Sequence, residues 1–219
     1  MSSTRAITPR QDLGFEHVIE PGSTADTLLL LHSTGGDEHQ LVALARQLAP
    51  GVTLLSPRGK VLESGVVRRF FARRGPLELD IPDLLHRTDE LAQFVESAVT
   101  AYELDPSRVT ALGYSNGANI AVSMLFRRPE LLSGAALWRP MLPYEPEHTP
   151  SLDGTRVLIA AGAQDPFSSS GATRRLVEVL RDGGADVTFE LAQTGHEVLD
   201  ADIVATHGWL AGVLGEGER

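Results

Sequence analysis

The chain has 219 residues, the size of one domain, and its 42% hydrophobic and 22% charged content is that of a globular protein with a core of its own. Nineteen basic against 29 acidic side chains leave a net charge of −10, a field that repels phosphate backbones and disfavours nucleic-acid binding. Cysteine is absent, which removes disulfides, thiolate metal sites and every thiol nucleophile.

The opening residues MSSTRAITPR hold no apolar leader stretch, and the longest leucine run, Leu28 to Leu31, is far too short to span a membrane. The expected location is therefore the cytoplasm. In chain order, 15–20 alternates apolar and polar residues and reads as an edge strand. Short apolar runs follow at 26–32, 52–56, 108–113, 134–138, 156–162 and 187–191, as expected of strands covered on both faces. Helical spacing lies between them at 40–48, 91–102, 118–126, 173–180 and 203–214. It is clearest at Leu91, Phe94, Val95, Ala98, Val99 and Tyr102, which share one face. Strand and helix in alternation predict an α/β fold: a mostly parallel central sheet with helices on both faces, in a single domain over 1–219.

Two stretches interrupt the rhythm. Residues 57–82, with Gly59, Gly65, Gly75 and Pro76, are too long for a routine connection and are expected near the mouth of a site. Residues 139–154 contain Pro140, Pro143, Pro146 and Pro150, which exclude a full crossover helix and leave no room for a cap domain.

The sharpest local feature is Gly113-Tyr114-Ser115-Asn116-Gly117. A G-x-S-x-G match is weak alone, but this one closes a predicted strand and opens a predicted helix, the setting of a nucleophile elbow. A serine needs a base and an orienting carboxylate. Asp165 follows the strand at 156–162, and His196 follows the run at 187–191. The order Ser115, Asp165, His196 is that of α/β-hydrolases. Read blandly, Asp165 is a turn aspartate before Pro166 and His196 a surface histidine. The loop His32-Ser33-Thr34-Gly35-Gly36 offers an oxyanion donor at the Thr34 amide, with the Asn116 amide as the second. The bland alternative is a glycine loop before a helix capped by Asp37.

Arg58, Lys60, Arg68, Arg69, Arg73 and Arg74 form a basic run interleaved with Phe70 and Phe71. It reads either as a wall of the site, with both phenylalanines touching substrate, or, the favoured reading, as a solvated loop anchored by two buried rings. Met141, Pro143 and Tyr144 either line an acyl or aromatic pocket or pack under the proline loop. The histidines are scattered without ligand spacing, so no metal is expected.

The stretches LLLLHSTGGDEHQLVALA, LLSPRGKVLESG with the following RRFFARR, ALGYSNGANIA, AGAQDP and TGHE resemble the carboxylesterase/phospholipase branch of the α/β-hydrolases. That branch includes the acyl-protein thioesterases. The likeness is greatest to its small bacterial esterases associated with hydroquinone and quinone stress. It implies a capless hydrolase with a Ser115, Asp165, His196 triad, no cofactor, and a small-molecule ester as partner. Ser33 departs from the pattern, standing where these loops usually carry glycine in an H-G-x-G run. The expected activity is cleavage of short to medium carboxylic esters, with thioesters as an alternative, and a homodimer is left open. Acyl transfer or C–C cleavage would use the same serine, and a ligand-binding protein on this frame is the non-catalytic alternative. Ser115 argues against an aspartate-nucleophile dehalogenase, and the lack of cysteine excludes a dienelactone hydrolase of the usual cysteine type.

Overall fold

Four consecutive leucines can all be buried only in a strand with a core on each side, because successive side chains point to opposite faces. The computed structural model describes residues 10–75 and 77–214; most of the N-terminal segment read for a leader, and Pro76, lie outside them. After β1 (His17–Glu20), the leucines of β2 (Thr27–Leu31) divide between two cores. Leu29 and Leu31 join one apolar cluster, Leu28 and Leu30 the other, and none of the four keeps exposed surface. Each such burial contributes about 1.5–3 kcal/mol.

The remaining strands are β3 (Thr53–Pro57), β4 (Val61–Glu63), β5 (Val67–Arg69), β6 (Val109–Tyr114), β7 (Gly134–Trp138), β8 (Arg156–Gly162) and β9 (Asp186–Ala192). Five of these join β1 and β2 in one sheet in the order β1-β3-β2-β6-β7-β8-β9, with β1 antiparallel to β3 and every other neighbour parallel. Helices α2 (Ile81–Tyr102), α3 (Asn116–Arg127) and α4 (Ser170–Asp182) supply Leu84, Leu91, Ile120 and Leu176 to the first cluster. Helices α1 (Val42–Leu48) and α5 (Asp200–Val213) supply Val42, Ala45 and Leu210 to the second. This is the α/β-hydrolase fold, with helices on both faces of the sheet, and 139–155 contain neither helix nor strand.

Three elements differ from the sequence expectation. Helix α2 starts ten residues before 91, because Leu84 and Thr88 continue the buried face and Pro82 sits in the first turn, where proline is tolerated; Asp80 caps it by accepting from the Asp83 amide at 3.2 Å. The long segment folds its middle into a β4–β5 hairpin, turned through Ser64 (φ 52°) and Gly65 (φ 76°). Strand β9 is covered on one side only: it ends the sheet, and Asp186, Thr188 and Glu190 face solvent. Among the described residues no helix is long and apolar enough to cross a membrane.

Candidate active site

Leu31 of β2 lies in register with Gly113 of β6, so the loops leaving these central strands emerge side by side at one edge of the sheet. Between β6 and α3 the chain turns through Ser115 at φ 53° and ψ −111°, a conformation that strains a residue with a side chain by about 1–3 kcal/mol. The turn is held by bonds from the Ser115 amide to Trp138 O at 2.8 Å and from the Asn119 amide to Ser115 O at 2.9 Å. The flanking glycines provide space. A Cβ on Gly113 would lie 2.8 Å from the Ala118 backbone, and one on Gly117 would run into the Leu31 carbonyl oxygen.

His196 Nε2 lies 2.8 Å from Ser115 Oγ, and His196 Nδ1 lies 2.7 Å from Asp165 Oδ2. An ionised carboxylate only accepts, so Nδ1 carries the proton and Nε2 is left to accept from the serine hydroxyl. Asp165 and His196 are brought together because β8 and β9 pair in register to their ends, Gly162 opposite Ala192. The Asp165 side chain is almost fully buried, and its other oxygen accepts from the Phe167 amide at 2.8 Å. This second bond is a turn-aspartate contact, made on the oxygen that the imidazole does not use.

Several neighbours of His196 carry no sequence signal. Tyr114 donates from its hydroxyl to His196 O at 3.0 Å and stacks on the ring, and burial holds its phenol above the ordinary range. Phe167 meets the ring edge-on at 4.8 Å between centroids while remaining 44% exposed, an apolar surface at the mouth. Thr194 donates to the Glu197 carboxylate, and that bond holds Glu197 below the usual carboxylate range. Arg139, just past β7 with φ 52°, is buried: Nη1 donates to Ala160 O at 2.8 Å, and Nη2 donates to Glu197 O at 2.5 Å and Asp202 Oδ2 at 2.6 Å. An arginine ending an apolar strand was the one available hint.

On the other side of Ser115, the ring of buried His32 donates from Nδ1 to Ser33 O at 2.8 Å and accepts at Nε2 from the Gly59 amide at 2.9 Å. Burial holds this imidazole below its ordinary range, with Arg68 adding to the effect. Because the peptide is planar and trans, tying the Ser33 carbonyl to His32 turns the Thr34 N–H the opposite way. Ser33 itself is taken up by Gln40: the Ser33 amide donates to Gln40 Oε1 at 2.8 Å, and Gln40 Nε2 donates to Ser33 Oγ at 3.0 Å. The Asn116 amide opens α3, where an N–H has no intrahelical acceptor. The Asn116 side chain accepts from the Phe70 amide at 2.7 Å, and its Nδ2 has no partner.

The hairpin docks on this loop. The Gly35 amide donates to Arg68 O at 2.8 Å, and Arg69 Nη1 donates to Thr34 Oγ1 at 2.9 Å. Phe70 and Phe71 are 2% and 0% exposed and belong to the core. The expectation that they line a substrate site is corrected accordingly, since neither ring has a free face, and the anchoring reading of the segment holds. Arg58 pairs with Glu38 and Glu16, Lys60 with Glu90, Arg73 with Glu63 and Arg74 with Asp80, so most of the basic run is neutralised in place. Met141 is half-buried, its amide bound to Asn119 Oδ1 at 2.9 Å, and Pro143 is buried.

Residues 82–198 match the model of the Dienelactone hydrolase family. The chain is 40% identical over 194 residues to the putative hydrolase MhqD of Bacillus subtilis, covering 89% of this chain and 96% of that protein. Among solved structures, it resembles a Bacillus cereus carboxylesterase at 38% identity and a TM-score of 0.89, covering 92% of this chain and 95% of that one. A carboxylesterase from Mesorhizobium loti is 35% identical with a TM-score of 0.78, covering 92% of each chain.

Proposed function

The chain belongs to the dienelactone hydrolase family, as a hydrolase of the esterase type, and on that premise we propose that it is a serine carboxylesterase working through an acyl-enzyme. The observation that carries this reading is the hydrogen-bonded chain from Ser115 Oγ through His196 to Asp165. Absence of cysteine excludes only the thiol version of the family's chemistry; the elbow position is filled by Ser115.

In the proposed reaction Ser115 Oγ attacks the ester carbonyl as His196 Nε2 takes its proton, and Asp165 orients the ring and stabilises the imidazolium. The Thr34 and Asn116 amides donate to the oxyanion, where loss of one donor typically costs about 2.7–4 kcal/mol of transition-state stabilisation. His196 then protonates the departing alkoxide. Water enters, gives its proton to His196, and attacks the acyl carbonyl; collapse releases the acid and restores Ser115.

The partner is a small-molecule ester. Phe167, against the His196 ring, is an accessible apolar surface beside the reacting groups and would hold its acyl or alkoxy part, with half-buried Met141 as a second candidate. The test is labelling with a fluorophosphonate probe, with Ser115→Ala as control. Labelling lost only in the variant supports the reading, and an unlabelled wild type would make the frame a binding protein. Matched oxy- and thioesters of one acid then separate ester from thioester cleavage.

A further inference from the structure

From its position between the three strands that carry the site, we infer that Arg139 is the positioning residue for the general base: its guanidinium clamps the loop bearing His196, and Asp202 holds the guanidinium in place. This rests on the esterase reading above. The Arg139 backbone follows Trp138, whose carbonyl binds the Ser115 amide, and its own amide donates to Ala160 O at 2.8 Å. Its side chain reaches Ala160 O on β8, the strand leading to Asp165, and Glu197 O, the carbonyl next after His196. One rigid fork thus ties the strand beside the nucleophile to the acid strand and the base loop.

The fork is itself fixed. Asp202 Oδ2 accepts from Nη2 and also from the Leu199 amide at 2.8 Å, so one carboxylate oxygen caps α5 and anchors the arginine. The side chains of Arg139 and Asp202 are 0% and 4% exposed. A buried ion pair contributes little to stability compared with apolar residues of the same volume, so its presence here calls for a reason other than stability. Aligned donors on the carbonyls from His196 onward supply one: with Tyr114 holding His196 O and Arg139 holding Glu197 O, the two consecutive peptide units that follow the imidazole's Cα are fixed from outside the loop.

The experiment compares Arg139→Met, Arg139→Met/Asp202→Leu and Asp202→Asn, reading thermal midpoint, kcat and KM with p-nitrophenyl acetate, alongside fluorophosphonate labelling of the wild type. Both Arg139 variants should lose kcat roughly tenfold or more with little change in KM, as misplaced groups do. The double variant should nevertheless regain part of the midpoint lost by the single one, because no unpaired charge stays buried, although the Leu199 amide loses its cap. Asp202→Asn keeps an oxygen for Nη2 and for the Leu199 amide but removes the charge, so it should lower kcat by less than either Arg139 variant while lowering the midpoint. Recovery of kcat together with the midpoint in the double variant overturns the inference. Should the double variant not fold, Arg139→Met decides, and a kcat within about threefold of wild type there overturns the inference. An unlabelled wild type is a separate failure, that of the esterase reading.

Discussion

The ring of His32 joins two loops: its Nε2 accepts from the Gly59 amide at 2.9 Å, and its Nδ1 donates to the Ser33 carbonyl at 2.8 Å, so the loop after β2 and the start of the hairpin segment share one buried imidazole. Only the neutral ring can do both, since the imidazolium has no acceptor for Gly59.

Burial holds His32 below its ordinary value of 6.5, so the unfolded chain binds more protons than the native one below that pH. Its contribution to stability is present above pH 6.5 and is lost as pH falls towards the depressed native value. Denaturant midpoints measured from pH 8 to pH 5 should decline in the wild type below about 6.5 and decline less in His32→Gln, whose side chain does not titrate. Parallel curves for the two proteins would show that the native His32 ring titrates as it does in the unfolded chain, so that burial does not depress it.

Ser115→Ala, His196→Ala and Asp165→Ala should each remove most of kcat, with double variants hardly worse than singles, because the three groups form one hydrogen-bonded unit. Losses on the order of 10⁴-fold or more are expected for Ser115 and His196, and a smaller one for Asp165. Near wild-type kcat in Asp165→Ala would identify a different carboxylate.

Two glycine substitutions should move stability in opposite directions. Gly117→Ala meets the Leu31 carbonyl and has nowhere to go, so it should destabilise by about 1–3 kcal/mol or more. Gly208 lies inside α5 with nothing within 4 Å of a Cβ, and Gly208→Ala should stabilise by about 0.5–1 kcal/mol. Urea unfolding with unchanged slopes reads both, and equal midpoints would discard the packing argument.

Acyl chain length is the fourth prediction. Residues 139–155 supply no covering helix, and the hairpin segment packs on the loop at Thr34 and Gly35. Each buried methylene is worth about 0.8 kcal/mol, so without a covered channel the gain should stop at short or medium esters. A p-nitrophenyl ester series should plateau in kcat/KM and show no jump at the solubility limit. A continued rise to palmitate would require a hidden channel.

What was legible in the sequence follows from where its signals are local. Strands at 134–138 and 156–162 are found with the expected bounds, because continuous apolar runs between turns leave few alternatives. The elbow was readable since Gly113 and Gly117 are required by backbone contacts a few residues away or across one strand. The hairpin leaves no sequence signal because its strands are three residues long, too short to show an alternation, and are stabilised by docking on Thr34 and Gly35. Arg139 was missed for the same reason in stronger form. Its partners Glu197 and Asp202 lie 58 and 63 residues away, a relation that one sequence does not display. Ser33, out of place by motif, is accommodated by Gln40, seven residues on, through bonds that a glycine could not make on its side-chain atom.

The register of β8 with β9 has a consequence for assembly. Ser115 and the Thr34 and Asn116 amides proposed as oxyanion donors come from the middle of the sheet, whereas Asp165 and His196 depend on the last strand pairing, Gly162 opposite Ala192. Edge strands open more readily than central ones. A molecule in which β9 has come loose keeps its strained serine but has no imidazole beside it, so ester turnover vanishes while most of the core is intact. Catalytic activity is thus a probe of fraying at one border of the sheet, and it should disappear at lower denaturant than the signal from Trp138, buried near the centre.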